Sequence, residues 1–338
     1  MNLSKRMKPI PINSGFRMEG YWVWCGSVIQ GEDGRYHMFA SRWPKTLPHY
    51  TWMFASEIVR AVSDDPIGPF TFEEIVLPQR GAKYWDGRCT HNPFIRKYKG
   101  KYILYYMGST HPFEEVKAGE VIEKDDKRCI VGRANKRVGM AVSDSVYGPW
   151  TRLDKPILDT RIDCFDSYLT SNPAACIHED GSVLLMYKAR SYEGNAWSKM
   201  KIGVAYAKAY DAEYIRLSDE PVFDESIHIE DPYIWRKDGK YCMIAKDMEG
   251  NICGEKYGGV FATSSDGTHW NMEKGNLSYT RNILWENGET EQLFKMERPF
   301  ILQEDGVDKA MYFAVKRFSN ESDAPTFNMA VPLKYEEG

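Results

Sequence analysis

Two short phrases in this 338-residue chain put a carboxylate one or two residues ahead of a proline-led apolar run: Glu230-Asp231-Pro232 and Glu297-Arg298-Pro299. Asn92-Pro93 and Asn172-Pro173 open similar runs, and Cys25-Gly26 opens another. Carboxylates gathered in one place can divide into a proton donor and a proton acceptor, because like charges and burial push their pKa values apart. Lys and Arg close several apolar runs, as in Leu184-Leu185-Met186-Tyr187-Lys188 and Phe313-Ala314-Val315-Lys316. Charges enter apolar elements only with partners, so these cations are expected to face carboxylates or a polar ligand.

The elements that must position them recur five times. Each copy is an apolar strand, an Asp-Gly or Lys-Gly turn and an aromatic-rich return strand. The turns are Asp33-Gly34, Lys99-Gly100, Asp180-Gly181, Asp238-Gly239 and Asp305-Gly306. A third strand follows, and twice the phrase Ala-Val-Ser-Asp leads to Gly-Pro and an aromatic residue, at positions 61–70 and 141–150. Hairpin repeats of this kind, spaced by roughly 60–80 residues, indicate an all-β, single five-bladed β-propeller over residues 1–338. Segment Ile10 to Met18 and late strand Phe327 to Val331 are expected to close the ring, removing an open sheet edge.

If the first strand of each unit is innermost, its leading residues and the last residues of the antiparallel second strand meet at one end of the channel. That predicts a cluster of Trp24, His91, Asn92, Asn172, Glu230, Asp231, Glu297 and Arg298 with Arg42, Lys188, Arg190 and Lys246, to which preceding loops add Glu19, Asp86 and Asp166. For any single charge a rim salt bridge is the simpler reading, and for any single Trp a core position. The convergence of the set points to a polar-ligand site.

The pattern resembles the five-bladed propeller glycosidases grouped around glycoside hydrolase family 43. In that family an Asp opening the first blade is the base, an Asp opening the third tunes the acid, and a Glu opening the fourth, in Glu-Gly-Pro, is the acid. Glu230-Asp231-Pro232 stands where that Glu-Gly-Pro is expected, but Cys25-Gly26 and Asn172-Pro173 replace the other two carboxylates. The resemblance implies a glycosidase, exo-acting and inverting, on an oligosaccharide derived from a polysaccharide. Its acid would be Glu230 or Asp231. Its base would be Asp86, then Glu297, then Glu19. Arg298, Lys188 and His91 would hold substrate oxygens, and Trp22, Trp24 or Trp85 would stack on a sugar. Glu230-Asp231-Pro232 is also similar to the acid-bearing motif of the family 130 mannoside phosphorylases, which implies phosphate as a co-substrate. A non-catalytic carbohydrate-binding propeller is the third reading. Arg42, Lys188, Arg190, Lys246 and Arg298 could pair with a uronate or sulfate on an acidic substrate.

Other signals are exclusions. A net charge of −4 argues against nucleic acid as the partner. The apolar runs are too short to span a bilayer. No apolar leader follows Met1, and seven scattered Cys form no Cys-x-x-Cys, so a cytoplasmic, reducing location is expected. No metal-ligand spacing or phosphate-binding loop is present, so no cofactor is expected; related propellers sometimes hold a cation in the channel, but nothing here specifies one.

Overall fold

In the computed structural model, which describes residues 1–192, 199–224, 226–318 and 324–334, the five hairpins turn where expected. At Lys99-Gly100, Asp238-Gly239 and Asp305-Gly306 both central residues have positive φ, the backbone whose twist matches that of the flanking strands.

Each hairpin begins an antiparallel sheet. The blades are β1 (Tyr21–Gln30), β2 (Tyr36–Pro44), β3 (Glu57–Ser63) and β4 (Thr71–Leu77); β5 (Cys89–Tyr98), β6 (Lys101–Ser109), β7 (Arg137–Ser143) and β8 (Thr151–Arg152); β9 (Leu169–Ile177), β10 (Val183–Arg190), β11 (Lys201–Ala207) and β12 (Ile215–Arg216); and β13 (Ile229–Lys237), β14 (Lys240–Asp247), β15 (Gly259–Ser264) and β16 (Asn271–Met272). A small hairpin, β17 (Asn282–Leu284) and β18 (Thr290–Gln292), precedes the fifth blade, β19 (Lys295–Glu304), β20 (Val307–Lys316) and β21 (Thr326–Pro332). The first strands touch in a closed cycle, β1 to β5, β9, β13, β19 and back to β1. They are therefore innermost. Their burial on both faces explains their near-continuous apolar sequence.

The ring closes by a variant of the expected device. The N-terminal segment forms no regular strand. Phe16 instead exchanges two backbone hydrogen bonds with Asn328 of β21, while Gly15 accepts from Phe70 of the first blade. Val23 N–H of β1 also donates to Thr326 Oγ1. Side chains latch other blades in the same way: Ile58 N–H to Thr90 Oγ1 and Val138 N–H to Thr170 Oγ1.

All five innermost strands carry a bulge at the same place. The bulged residues are Cys25, Asn92, Asn172, Asp231 and Arg298, each in the left-handed region with φ of 55°, 54°, 48°, 60° and 57°. Asn and Asp tolerate that backbone; Cys and Arg adopt it rarely, so the surrounding structure must impose it. A bulge re-aims a side chain. Here it turns five side chains toward the axis.

Farther along the channel Phe94, Tyr233 and Phe300 pack against one another with ring centroids 5.2–5.8 Å apart. The Arg96 guanidinium lies over Phe94, 4.2 Å from its ring centroid, and donates to the carbonyls of Ala175, Ile95 and Ile234. Its charge is thus spread over main-chain acceptors from three blades. This layer separates two cavities. The larger, about 980 Å³, opens beyond Arg96 and includes Trp235, His178 and Gln303. The smaller, about 330 Å³, holds the carboxylates. The ionisable cluster makes the smaller one the candidate site.

One insertion walls one side of that smaller cavity through His49 and Trp52, and a second packs behind it. Residues 45–56 carry a 3-10 turn, His49–Thr51, and α1 (Trp52–Ala55); residues 110–136 carry α2 (Lys127–Ala134). They pack through Met53, Phe54, Ile122 and Cys129, and Tyr50 donates to the Ile122 carbonyl at 2.6 Å. Among the described residues no helix is long and apolar enough to cross a membrane.

Candidate active site

The cavity brings together Trp24, His91, Asn92, Asn172, Lys188, Glu230, Asp231, Lys246, Glu297 and Arg298, all expected from the sequence. Their positions follow from the bulges and from the second strands: Glu230 pairs across the ladder with Lys246, and Ser171 with Lys188. At the centre the Lys246 ammonium touches three carboxylates: Glu297 at 2.9 Å, Glu230 at 3.1 Å and Asp231 at 3.5 Å. Lys188 holds the other Glu230 oxygen at 2.6 Å.

These contacts separate the three acids. Burial would raise Glu230, but Lys188 and Lys246 more than offset it and hold the carboxyl well below its usual range. Glu297 is also lowered, burial being outweighed by Lys246 and Lys295. Asp231 moves the other way: burial first, then the charge on Glu230, raises it. Burial opposes the charge on Lys246, yet Glu230, Glu297 and Asp231 together keep the ammonium charged far above the usual Lys range. Of the three acids, Asp231 is the one that retains a proton longest.

His91 is neutral: burial and then Lys136 and Arg298 push it well below its ordinary value. Its Nδ1 is 2.8 Å from Ser56 Oγ, and its ring stacks on Trp52 at 4.6 Å. Arg298 is 8% exposed, and neither its Nε nor its Nη1 has a hydrogen-bond partner among the described residues. Nη1 stands 3.6 Å from Asp231 Oδ1, too far to bond.

Several expected residues lie elsewhere. Asp86, first choice for the base, is fully buried against Arg80 at 2.6 Å, Arg152 at 3.4 Å and the Tyr106 hydroxyl at 2.8 Å, away from the cavity. Asp166 is its counterpart in the third blade, held by Arg161, Arg216 and the Tyr187 hydroxyl. Both carboxylates fasten blades. Arg42 pairs with Glu57 at 2.9 Å and stacks on Tyr21 and Phe72. Arg190 is buried beside Glu230 without lining the cavity. Glu19 is exposed and outside it. Trp22 is buried with its indole on the Leu47 carbonyl, and Trp85 stacks on Tyr106, so neither offers a face to the cavity. Asp86→Ala should therefore unfold more easily by roughly 3–5 kcal/mol, because two guanidiniums lose their buried partner. Its kcat per folded molecule should stay near that of the parent protein, measured on material checked by circular dichroism; a loss of kcat alone would return Asp86 to the site.

The sequence reading missed Trp43, His49, Trp52, Met248, Tyr257, Phe294, Lys295 and Met296, which complete the lining. His49 sits among the edges of Trp22, Trp24 and Trp43 at 5.2–5.3 Å. Burial, then Lys295 and Lys316, push it down to about 3, so it is neutral. No repeat pattern could place it, since it belongs to an insertion.

No family model matches the chain, and no curated protein matches it in sequence. Its fold is a five-bladed β-propeller shared with solved structures. The RGII complex of BT0996 superposes with a TM-score of 0.68 at 16% identity, over 99% of this chain and 94% of the other. Zg3597, a family 117 glycoside hydrolase of the marine bacterium Zobellia galactanivorans, gives 0.65 at 16% identity over 98% and 90%. A thermostable family-43 glycoside hydrolase gives 0.60 at 13% identity over 98% and 92%. At these identities the likeness establishes the common fold.

Proposed function

We propose that this protein is an exo-acting, inverting glycoside hydrolase whose substrate is an acidic oligosaccharide. The observation that carries the reading is the division of three carboxylates around one ammonium, at the end of a cavity sealed behind. Asp231 is the general acid. Glu297, ionised and on the cavity wall, is the base that takes a proton from water. Glu230 stays ionised and fixes Lys188 and Lys246. Because Asp231 and Glu297 share Lys246, at 3.5 and 2.9 Å, their nearest oxygens stand no farther apart than about 6.4 Å, just short of the roughly 6.5–9.5 Å of an inverting pair, so the anomeric configuration of the product is the decisive measurement. The aromatic layer and the insertion wall support an exo mode, since a polymer cannot pass through. The named glycoside hydrolases of the same fold support the reaction class.

The anionic character of the substrate is supported by uncompensated positive charge. The Arg298 guanidinium has nitrogens without a hydrogen-bond partner among the described residues. An entering carboxylate or sulfate would offset that charge. The same guanidinium favours a second reading, in which inorganic phosphate enters and the sugar leaves as its 1-phosphate.

Proton NMR of digests of matched neutral and uronate-bearing oligosaccharides, with and without phosphate, separates these readings. The expected result is release of a single sugar of inverted anomeric configuration, without phosphate, and roughly tenfold or faster from the acidic substrate, the worth of one charge-assisted hydrogen bond. Strict phosphate dependence would establish the phosphorylase. Binding without turnover would leave a carbohydrate-binding propeller.

A further inference from the structure

Four of the five bulged residues form a hydrogen-bonded arc in which every side-chain donor points the same way, and the fifth, Arg298, meets its end from the other side. Cys25 Sγ lies 2.7 Å from Asn92 Oδ1. Asn92 Nδ2 donates to Asn172 Oδ1 at 2.6 Å, and Asn172 Nδ2 donates to Asp231 Oδ1 at 2.5 Å. When Asp231 is ionised, chemistry fixes this polarity. An ionised carboxylate can only accept, so Asn172 must offer it the NH₂ group. The Asn172 oxygen then accepts from Asn92, and also from Ser171 Oγ at 2.7 Å. The Asn92 oxygen is left facing Cys25, where only a protonated thiol can donate. Burial, the largest influence on Cys25, keeps that thiol protonated.

The other oxygen of Asp231 is met by the Arg298 backbone N–H at 3.2 Å and by Lys246 at 3.5 Å. Both oxygens therefore see donors only. A proton carried by Asp231 has no acceptor among the described residues and can be offered to whatever occupies the cavity.

We propose that Cys25, Asn92 and Asn172 are positioning residues that form a one-way hydrogen-bond relay ending on Asp231, with the Cys25 thiol setting its direction. The relay fixes the carboxyl's rotation and stabilises the carboxylate left after proton donation. That catalytic consequence rests on Asp231 being the acid; the relay itself does not. The charged and titratable groups facing Asp231 are Glu230 on its own strand, Lys246 from β14, Glu297 and Arg298 from β19, and the Tyr279 phenol. Burial and the acids raise its pKa, the cations lower it, and the relay adds a lowering contribution through a neutral donor.

The test follows Asp231 directly by carbon NMR of protein labelled at the Asp carboxyl carbon, with the resonance assigned by its absence in Asp231→Asn. Cys25→Ala should raise the Asp231 midpoint by about half a pH unit or more, since the relay loses its first donor and the amides are free to turn. Cys25→Ser, which restores a donor, should return it to the parent value. If Cys25→Ala does not fold, Asn92→Leu interrupts the same relay and should move the midpoint in the same direction. A folded Cys25→Ala or Asn92→Leu protein whose Asp231 titrates as in the parent overturns the relay, as does a shift that serine does not reverse. With a glycoside substrate, the alkaline limb of kcat should move by the same amount as the midpoint. A shifted midpoint with an unshifted kcat profile keeps the relay and removes Asp231 as the acid.

Discussion

Asp231→Asn is expected to lower kcat/KM on a natural oligosaccharide by roughly 10²–10⁴-fold, the usual contribution of a positioned proton donor. The same variant should lose far less on a dinitrophenyl glycoside, whose leaving group departs without protonation. It should also lose the alkaline limb of its pH profile, which in the parent reports ionisation of the acid. Glu297→Gln should instead lose activity on both substrates, because water must be activated whichever group departs. The contrast follows from the electrostatics: Glu230 is clamped by Lys188 at 2.6 Å and Lys246 at 3.1 Å and stays charged, whereas Asp231 is raised by burial and by Glu230. If the activated substrate rescues Glu230→Gln rather than Asp231→Asn, the donor is Glu230, as the resemblance to family 43 implies.

The second large effect is on stability. Lys246→Met leaves three buried carboxylates without their common cation, and breaking a buried pair in this way costs about 3–5 kcal/mol. The loss depends on pH. In the parent protein Glu230 and Glu297 are depressed below the ordinary 4.5, so their stabilisation is present above that value and lost as pH falls through their folded values. Asp231 is raised above 3.8; its stabilisation is present below 3.8 and lost as pH rises through its folded value. Without Lys246 all three move upward, so the variant should weaken as pH rises from the acid range into neutrality. Urea unfolding at pH 7.5 and pH 4.5 should show a large gap from the parent at the higher pH and a smaller one at the lower. Equal gaps would mean that the lysine acts through packing alone.

Much of this was legible because the chain repeats. Lys99-Gly100 and Asp238-Gly239 can close a hairpin only in a few ways, and five copies of one hairpin have to share an axis. That reasoning correctly places Glu230, Asp231, Glu297, Arg298, Asn172 and His91 around one cavity. It fails for Asp86 and Asp166, although a signal was present. Both follow an aromatic residue, both have an Arg five or six positions earlier, and both reach a Tyr about twenty positions later in the return strand. A pattern shared by neighbouring blades marks a fastening; the residues that line the cavity are those where the blades differ. Arg42 was misplaced because Glu57, on the paired strand, captures it. His49 and Trp52 were out of reach for another reason: their insertion belongs to no repeat. The raised Asp231 beside a lowered Glu230 also required coordinates, since two adjacent acids in sequence do not reveal which will meet the lysines.

The layer of Phe94, Tyr233, Phe300 and Arg96 has a consequence for polymer traffic. With the passage stopped there, whatever enters the carboxylate cavity must retreat the way it came. If the proposed exo-hydrolysis takes place there, the freed sugar has to depart before the shortened chain can re-seat, and nothing threads forward between cycles. Attack on a long polysaccharide would then be distributive, with every chain in a mixture shrinking in step and none consumed to completion ahead of the others.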